Sequence, residues 1–502
     1  MSSSAKSSSV STTGVKKILV ILARFPSGTV DGTTYGELDF QTGYNAAFFQ
    51  SFLGDYTDES PASLTMAEYY KQMSGGSLKL QFQVLGPYEA NKCYAYYGKN
   101  SGDDDAHPKE LVQEMLEQAS GEVSASIDNC AVIIIHAGPG EEIGGGYDEY
   151  LWSRKASLSP AVVINKEGGG TVSYSTYVIC PEYNITGTKA APTIGVFCHE
   201  FGHVLGLMES YDTNYSTAGV GQWSLMAGGS WGSIGKNTSG KVAGADPAPL
   251  MAWERAWLGW VTEENITPSS GESKQYYFNN MDESSTVYRI DLCDNQYITL
   301  EGKKKDSSGT GMYVMETGLL ITQLHQDILD KYWGYNLINA GSSRVHGAMV
   351  VEAVAANYKT NGLGNLWRGA STAYRFTTTA LFRPGNLTSV GPASVSSSAN
   401  VPFIVLFFDT FIVSGIVIAL LVAGYYGRRK LCAAIACAAL AFCLSMSCVI
   451  ESGGSGGTYD AGPNTNYYTS NYVHSKTGNS GITIYNIKVN EDGSGSFWVK
   501  KD

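Results

Sequence analysis

Two imidazoles and a carboxylate share one short stretch, GVFCHEFGHVLGLMESYDT at 195–213. His199 and His203 stand four residues apart. At about 3.6 residues per helical turn they project from one face, roughly a turn apart. Two neutral imidazoles at that spacing can share one zinc ion. Glu200 sits beside the first of them, next to the metal rather than on it. There it can take a proton from water whose pKa the metal lowers to about 7, and deliver it to a leaving amine. The chain has only seven His. Two of them at ligand spacing with Glu between point to a metal site rather than to surface His on an amphipathic helix.

A catalytic zinc needs a third protein ligand. Gly206, seven residues after His199, can end the helix in a left-handed conformation and let the chain turn back. Past that turn come Glu209 and Asp212. Downstream, WSLMAGGSW (223–231) puts Met226 in a tight, Gly-followed segment between aromatics, suited to a hydrophobic turn beneath a metal site.

HEFGHVLGLMESYDT, QWSLMAGGSW and DPAPLMAWERAWLGWV together resemble the immune inhibitor A family of secreted bacterial metallopeptidases. HExxHxxG followed by a Met-turn is the metzincin pattern. KKILVILARF, VIIIHAGPGEE and VICPEY fit as well, so the resemblance runs from about 15 to 385 and resumes near 463. It implies a zinc endopeptidase that cleaves proteins or peptides, with an α/β metzincin-like catalytic domain and a β-rich domain after it. It implies an extracellular or cell-surface location at a bacterial envelope. By analogy, the strand at 77–86 would be the edge along which an extended peptide pairs.

The resemblance also implies the third ligand. Glu209 sits ten residues after His199, where metzincins place a third His and this family places Asp. The expected metal set is therefore His199, His203 and Glu209, with Glu200 as the catalytic base and acid. Met208 stands where the family has Pro. Two rivals for the ligand are Asp212, whose family counterpart supports the loop, and Glu254 in MAWERAW, a Glu on a second helix. The family includes calcium-binding members; no EF-hand-type loop is present here, so Ca2+ stays without assigned residues.

The elements around the motif read as mixed α/β. VKKILVILARF (15–25) is a buried strand, and 77–86, 130–138 and 171–183 are further strands. Helical spacing runs over 40–53, 64–74 and 107–120, the last with Pro near its start. The acidic loop GPGEEIGGGYDEY (138–150) lacks a phosphate-loop Lys, which excludes nucleotide binding there. At 502 residues the chain exceeds one ordinary core. Its net charge of -12 argues against nucleic acid as a partner. Nine Cys without a CxxC pair give no disulfide framework. The expected divisions are a Ser/Thr-rich tail (1–14), a catalytic domain (15–263) and a discontinuous β-rich domain (264–385 and 463–502). His325 and His346, in the latter, are read as structural or exposed rather than as ligands.

An apolar two-helix insert (386–462) interrupts the β-rich domain. Its runs 403–426 and 431–450 are each long enough to span a bilayer of about 30 Å. GRRK (427–430) between them predicts a membrane hairpin over 403–450 with its loop in the cytoplasm. A function of another class is a surface adhesion or binding protein with a structural zinc. Glu200 speaks against it, because a purely structural site does not need that carboxylate.

Overall fold

The computed structural model of the chain describes residues 10–351 apart from short internal segments, the longest being 233–242, together with 381–382 and 478–502. The first apolar run forms β1 (Gly14–Arg24). Ile18, Val20 and Leu22 enter one core, while Leu19, Ile21 and Ala23 enter another. A strand without a polar face belongs inside a parallel sheet covered on both sides. β1 lies between β2 (Leu78–Glu89) and β3 (Val132–Pro139), parallel to both. β3 pairs in parallel with β5 (Thr171–Tyr183), and antiparallel β4 (Arg154–Asn165) forms the far edge.

The expected helices appear, each trimmed by its caps. α1 (Ala46–Leu53) and α2 (Met66–Met73) begin where the Asn45 and Thr65 side chains accept from the Phe48 and Glu68 amides. α3 (Pro108–Ala119) starts on its Pro and packs Leu111, Val112 and Met115 into the core on its side of the sheet. The opposite core receives α4 (Ile194–Val204) through Phe197 and Phe201, and α5 (Ala252–Trp257) through Trp253 and Trp257.

Beyond α5 the described elements are mostly strands. A sheet joins β6 (Thr262–Asn265), β8 (Thr286–Cys293), β9 (Gln296–Lys303), β10 (Gly318–His325) and β11 (Ala348–Val350) in that order. A second sheet places β13 (Gly495–Lys501) between β7 (Ser273–Phe278) and β12 (Ile482–Val489). The C-terminal hairpin of β12 and β13 therefore returns to pair with the start of this region. A short helix that the sequence pattern did not announce, α6 (Gln326–Tyr332), follows β10 directly.

Two expectations need correction. The expected transmembrane helices are not found: among the described residues no helix is long and apolar enough to cross a membrane. The runs 403–426 and 431–450 lie outside the described residues, and membrane attachment through the 403–450 hairpin is not carried forward. The expectation for 77–86 also moves. β2 is an edge strand, but the site cavity is bordered at the other edge of the sheet, by Ser153, Arg154 and Lys155 at the start of β4.

Candidate metal centre and active site

α4 is shaped by close approaches. The Gly195 amide donates to Gly244 O at 2.9 Å, and a Cβ at Gly195 would lie 1.9 Å from Ser230 O. Further along the helix, a Cβ at Gly202 would meet the Met226 sulfur at 2.6 Å. The helix ends at Gly206, whose φ of 98° is open to glycine. There Leu207 N reaches back to Gly202 O at 3.0 Å and Gly206 N to His203 O at 3.1 Å, closing the helix with a left-handed cap. The chain reverses, and Glu209 returns to the face that carries the two His.

The three side chains converge. His199 Nε2 and His203 Nε2 are 3.2 Å apart, with Glu209 Oε1 3.0 Å from His203 Nε2 and Oε2 3.3 Å from His199 Nε2. Among the described residues these form the one group of three His, Cys, Asp or Glu whose ligand atoms all lie within 4.8 Å of one another. Each imidazole has its other nitrogen against a carbonyl: His199 Nδ1 lies 2.9 Å from Leu225 O, and His203 Nδ1 2.8 Å from Leu207 O. A carbonyl only accepts, so both Nδ1 atoms carry a proton, and each Nε2 is the nitrogen that would bind a cation on giving up any proton it shares with Glu209. Glu209 is buried, and its Oε2 approaches a protein group at His199 Nε2, 3.3 Å away. Two converging imidazole nitrogens with a buried carboxylate facing both are a donor set that suits a small divalent ion such as zinc.

The electrostatics agree. Burial pushes the His199 imidazole down, but the Glu209 charge and hydrogen bond, with Glu200 and the Leu225 carbonyl, together outweigh it and raise the pKa to about 10. His203 is raised in the same way. Glu209, despite burial, is held well below the usual carboxylate range by the two His. The cluster thus carries a carboxylate that stays ionised. Glu200, also buried, is raised above its ordinary value by burial, with His199 and His203 opposing. The Lys155 amide on β4 donates to it.

Met226 lies beneath the centre, fully buried. Its amide donates to Ser224 Oγ at 2.9 Å, and its carbonyl accepts from Ser210 N at 2.7 Å. The centre opens into a cavity of about 830 Å³ whose walls include Trp152, Tyr211, Tyr215 and Trp231. Glu142, from the acidic loop, lines it too. Ser153 donates to that carboxylate from Oγ at 2.5 Å and from N at 3.2 Å. Burial, reinforced by Glu200 and opposed by Ser153, pushes Glu142 up to about 7.

The rival ligands stand elsewhere. Asp212 Oδ1 accepts from the amides of Asn214 at 2.9 Å and Gly341 at 2.7 Å. Glu254 is fully buried and accepts from Ser210 Oγ, Ser224 Oγ and Met251 N at 2.7–2.8 Å. It braces the loop after Glu209 and the Met226 turn. His325 and His346 are buried within the β-rich region, outside the cluster. The sequence pattern did not reveal β4, Glu142 or Asn336, which all border the cavity. The alternation in RKASLS is a weak strand signal for the first; the acidic stretch GPGEEIGGGYDEY contains Glu142 but does not show its role, and nothing in the sequence marks Asn336.

Residues 4–130 and 126–265 match the family described as "Immune inhibitor A peptidase M6, catalytic domain". The chain belongs to this family. Among its relatives is the "Pre-pro-metalloprotease PrtV" of Vibrio cholerae serotype O1, 30% identical over 250 residues, which are 42% of this chain and 26% of that protein. "Immune inhibitor A" of Bacillus thuringiensis subsp. alesti is 31% identical over 284 residues, 46% of this chain and 38% of that protein. The chain therefore spans between a quarter and two-fifths of the length of these curated relatives. The M6 match ends at 265, the last residue of β6, and contains the whole HEFGH helix and Glu209.

Proposed function

We propose that this M6-family chain is a zinc-dependent endopeptidase in which His199, His203 and Glu209 hold the metal and Glu200 is the general base and then the general acid. The observation that carries the reading is the convergence of both Nε2 atoms and the Glu209 carboxylate at the floor of a large cavity, with Glu200 beside them. A bound zinc supplies Lewis acidity, polarising the scissile carbonyl and making water acidic enough to deprotonate near neutral pH. The chain's own residues do the rest. Leu225 O and Leu207 O fix the imidazole tautomers and ring orientation. Glu200 accepts the proton of the attacking water and hands it to the leaving amine. Its burial raises its proton affinity toward the range that such a shuttle needs.

The substrate in this reading is an extended segment of protein or peptide. The edge strand β4 offers it a template, since its start lines the cavity and its other side is already paired with β5. An extracellular site of action belongs to the same reading, taken from the secreted family that the sequence resembles. The division into a catalytic domain over 15–263 and a β-rich domain over 264–385 and 463–502 is supported by the sheet that β7 shares with the C-terminal hairpin.

The test is Glu200→Gln in the full chain. Zinc content by mass spectrometry should stay at the level of the unchanged chain, while casein cleavage falls by about 10²–10⁴-fold. Near-normal turnover with zinc retained would sink the proposed role of Glu200.

A further inference from the structure

The third-ligand loop is held from outside the residues that match the M6 catalytic domain. Glu209 N donates to Asn336 Oδ1 at 2.7 Å. Asn339 Nδ2 donates to Ser210 O at 2.7 Å, and Gly341 N donates to Asp212 Oδ1 at 2.7 Å. Residues 209, 210 and 212 are thus each gripped by the segment 333–341, which lies well past the end of the match at 265. The segment is itself anchored. Trp333 stacks on Trp257 of α5 at 4.8 Å and meets Trp253 edge-on at 6.2 Å. Asn339 is buried, and its Oδ1 takes the Ala348 amide of β11 at 3.0 Å. Asn336 adopts the left-handed conformation, φ 56° and ψ 37°, which Asn tolerates better than most residues.

We infer that the segment 333–341 is a clamp on the metal-ligand loop, and that Asn336 is a positioning residue that sets the place of the Glu209 carboxylate. The inference rests on Glu209 being a metal ligand, as proposed above. A ligand on an irregular loop must otherwise be ordered when the metal binds, which costs conformational entropy and metal affinity. His199 and His203 need no such device, because α4 holds them. The Asn336 bond falls on the backbone amide of the ligand residue itself, so its loss displaces Glu209 without opening the core. The β-rich region is, on this account, part of the metal site.

The experiment compares the full chain with Asn336→Gly, Asn336→Asp and the exposed neighbour Tyr335→Ala. Gly keeps the left-handed backbone and removes the acceptor; Asp keeps both. Three quantities are read: zinc release to an excess of chelator, the visible spectrum of the cobalt(II)-loaded protein, and the melting temperature without metal. Asn336→Gly should release zinc about 10- to 100-fold faster and change the cobalt spectrum, with a metal-free melting temperature close to that of Tyr335→Ala. Asn336→Asp should restore the parent spectrum and slow release. Parent-like release and spectrum in Asn336→Gly would overturn the inference. So would equal impairment in the Gly and Asp variants, or faster release matched by a general loss of stability. If the unchanged chain binds no zinc or cobalt at all, the functional reading fails, and this inference with it.

Discussion

The proposed metal centre is built by two regions that solve the same problem differently. α4 places His199 and His203 by its own pitch, and a single carbonyl at each ring completes the placement. Two carbonyls fix the rings, and a left-handed glycine ends the helix. The loop that returns Glu209 has no such regularity. It is held by partners distant in sequence: Met226 O, Glu254, Asn336 and Asn339. Regular structure needs little help to place a ligand, whereas a loop ligand needs a surrounding shell. Damage to the helix should therefore appear as lost stability, and damage to the shell as a loosened metal.

The largest expected effect is on the helix side. Gly195→Ala drives a Cβ into the Ser230 carbonyl, which is backbone and cannot swing aside. A loss of about 3 kcal/mol or more is expected in urea unfolding of the metal-free chain. A parent-like transition would mean that the start of α4 does not pack as described. Glu254→Gln should come next. Its three partners are all donors, so the new amide group faces at least one of them without an acceptor. About 1–3 kcal/mol of stability should go, together with faster zinc release. Slower unfolding or unchanged release would break the contrast between helix and shell.

The smallest effect concerns Glu142. Its ordinary value is 4.5, and burial pushes it up to about 7 in the folded chain. The folded state therefore binds this proton more tightly than the unfolded chain does. The stability it contributes is complete below about pH 4.5 and is lost as the pH rises through about 7. Glu142→Gln cannot lose it. Melting of the metal-free chain should thus drop less between pH 5 and 8 in Glu142→Gln than in the unchanged chain. An identical drop in both would show that Glu142 is not held protonated beside Glu200.

The helical half of the site was legible because its chemistry is periodic. Two His and a Glu at ligand spacing, then Gly206, announce a helix, its end and the face that carries the proposed ligands. Glu209 was reachable only through the family pattern, since a Glu on a loop has no signature of its own. Glu254 was legible as unusual but not as a brace: its role depends on Ser210 and Ser224, far upstream in the chain. β4 was hidden because a half-exposed edge strand with Pro160 in it alternates poorly. Asn336 was hidden completely, because its partner is a backbone amide 127 residues away. In the β-rich region STVYRIDLC and TGLLITQLH carry the apolar and β-branched residues of strands, while the segment that touches the site reads as an ordinary loop.

The central claim is that Glu209 completes the metal site. Zinc bound per chain, measured after exhaustive dialysis of Glu209→Ala and Asp212→Asn beside the unchanged protein, tests it most directly. Glu209→Ala is expected to lose its zinc while Asp212→Asn and the unchanged protein keep theirs. Stoichiometric zinc in Glu209→Ala together with its loss from Asp212→Asn would contradict the claim and name Asp212 as the ligand.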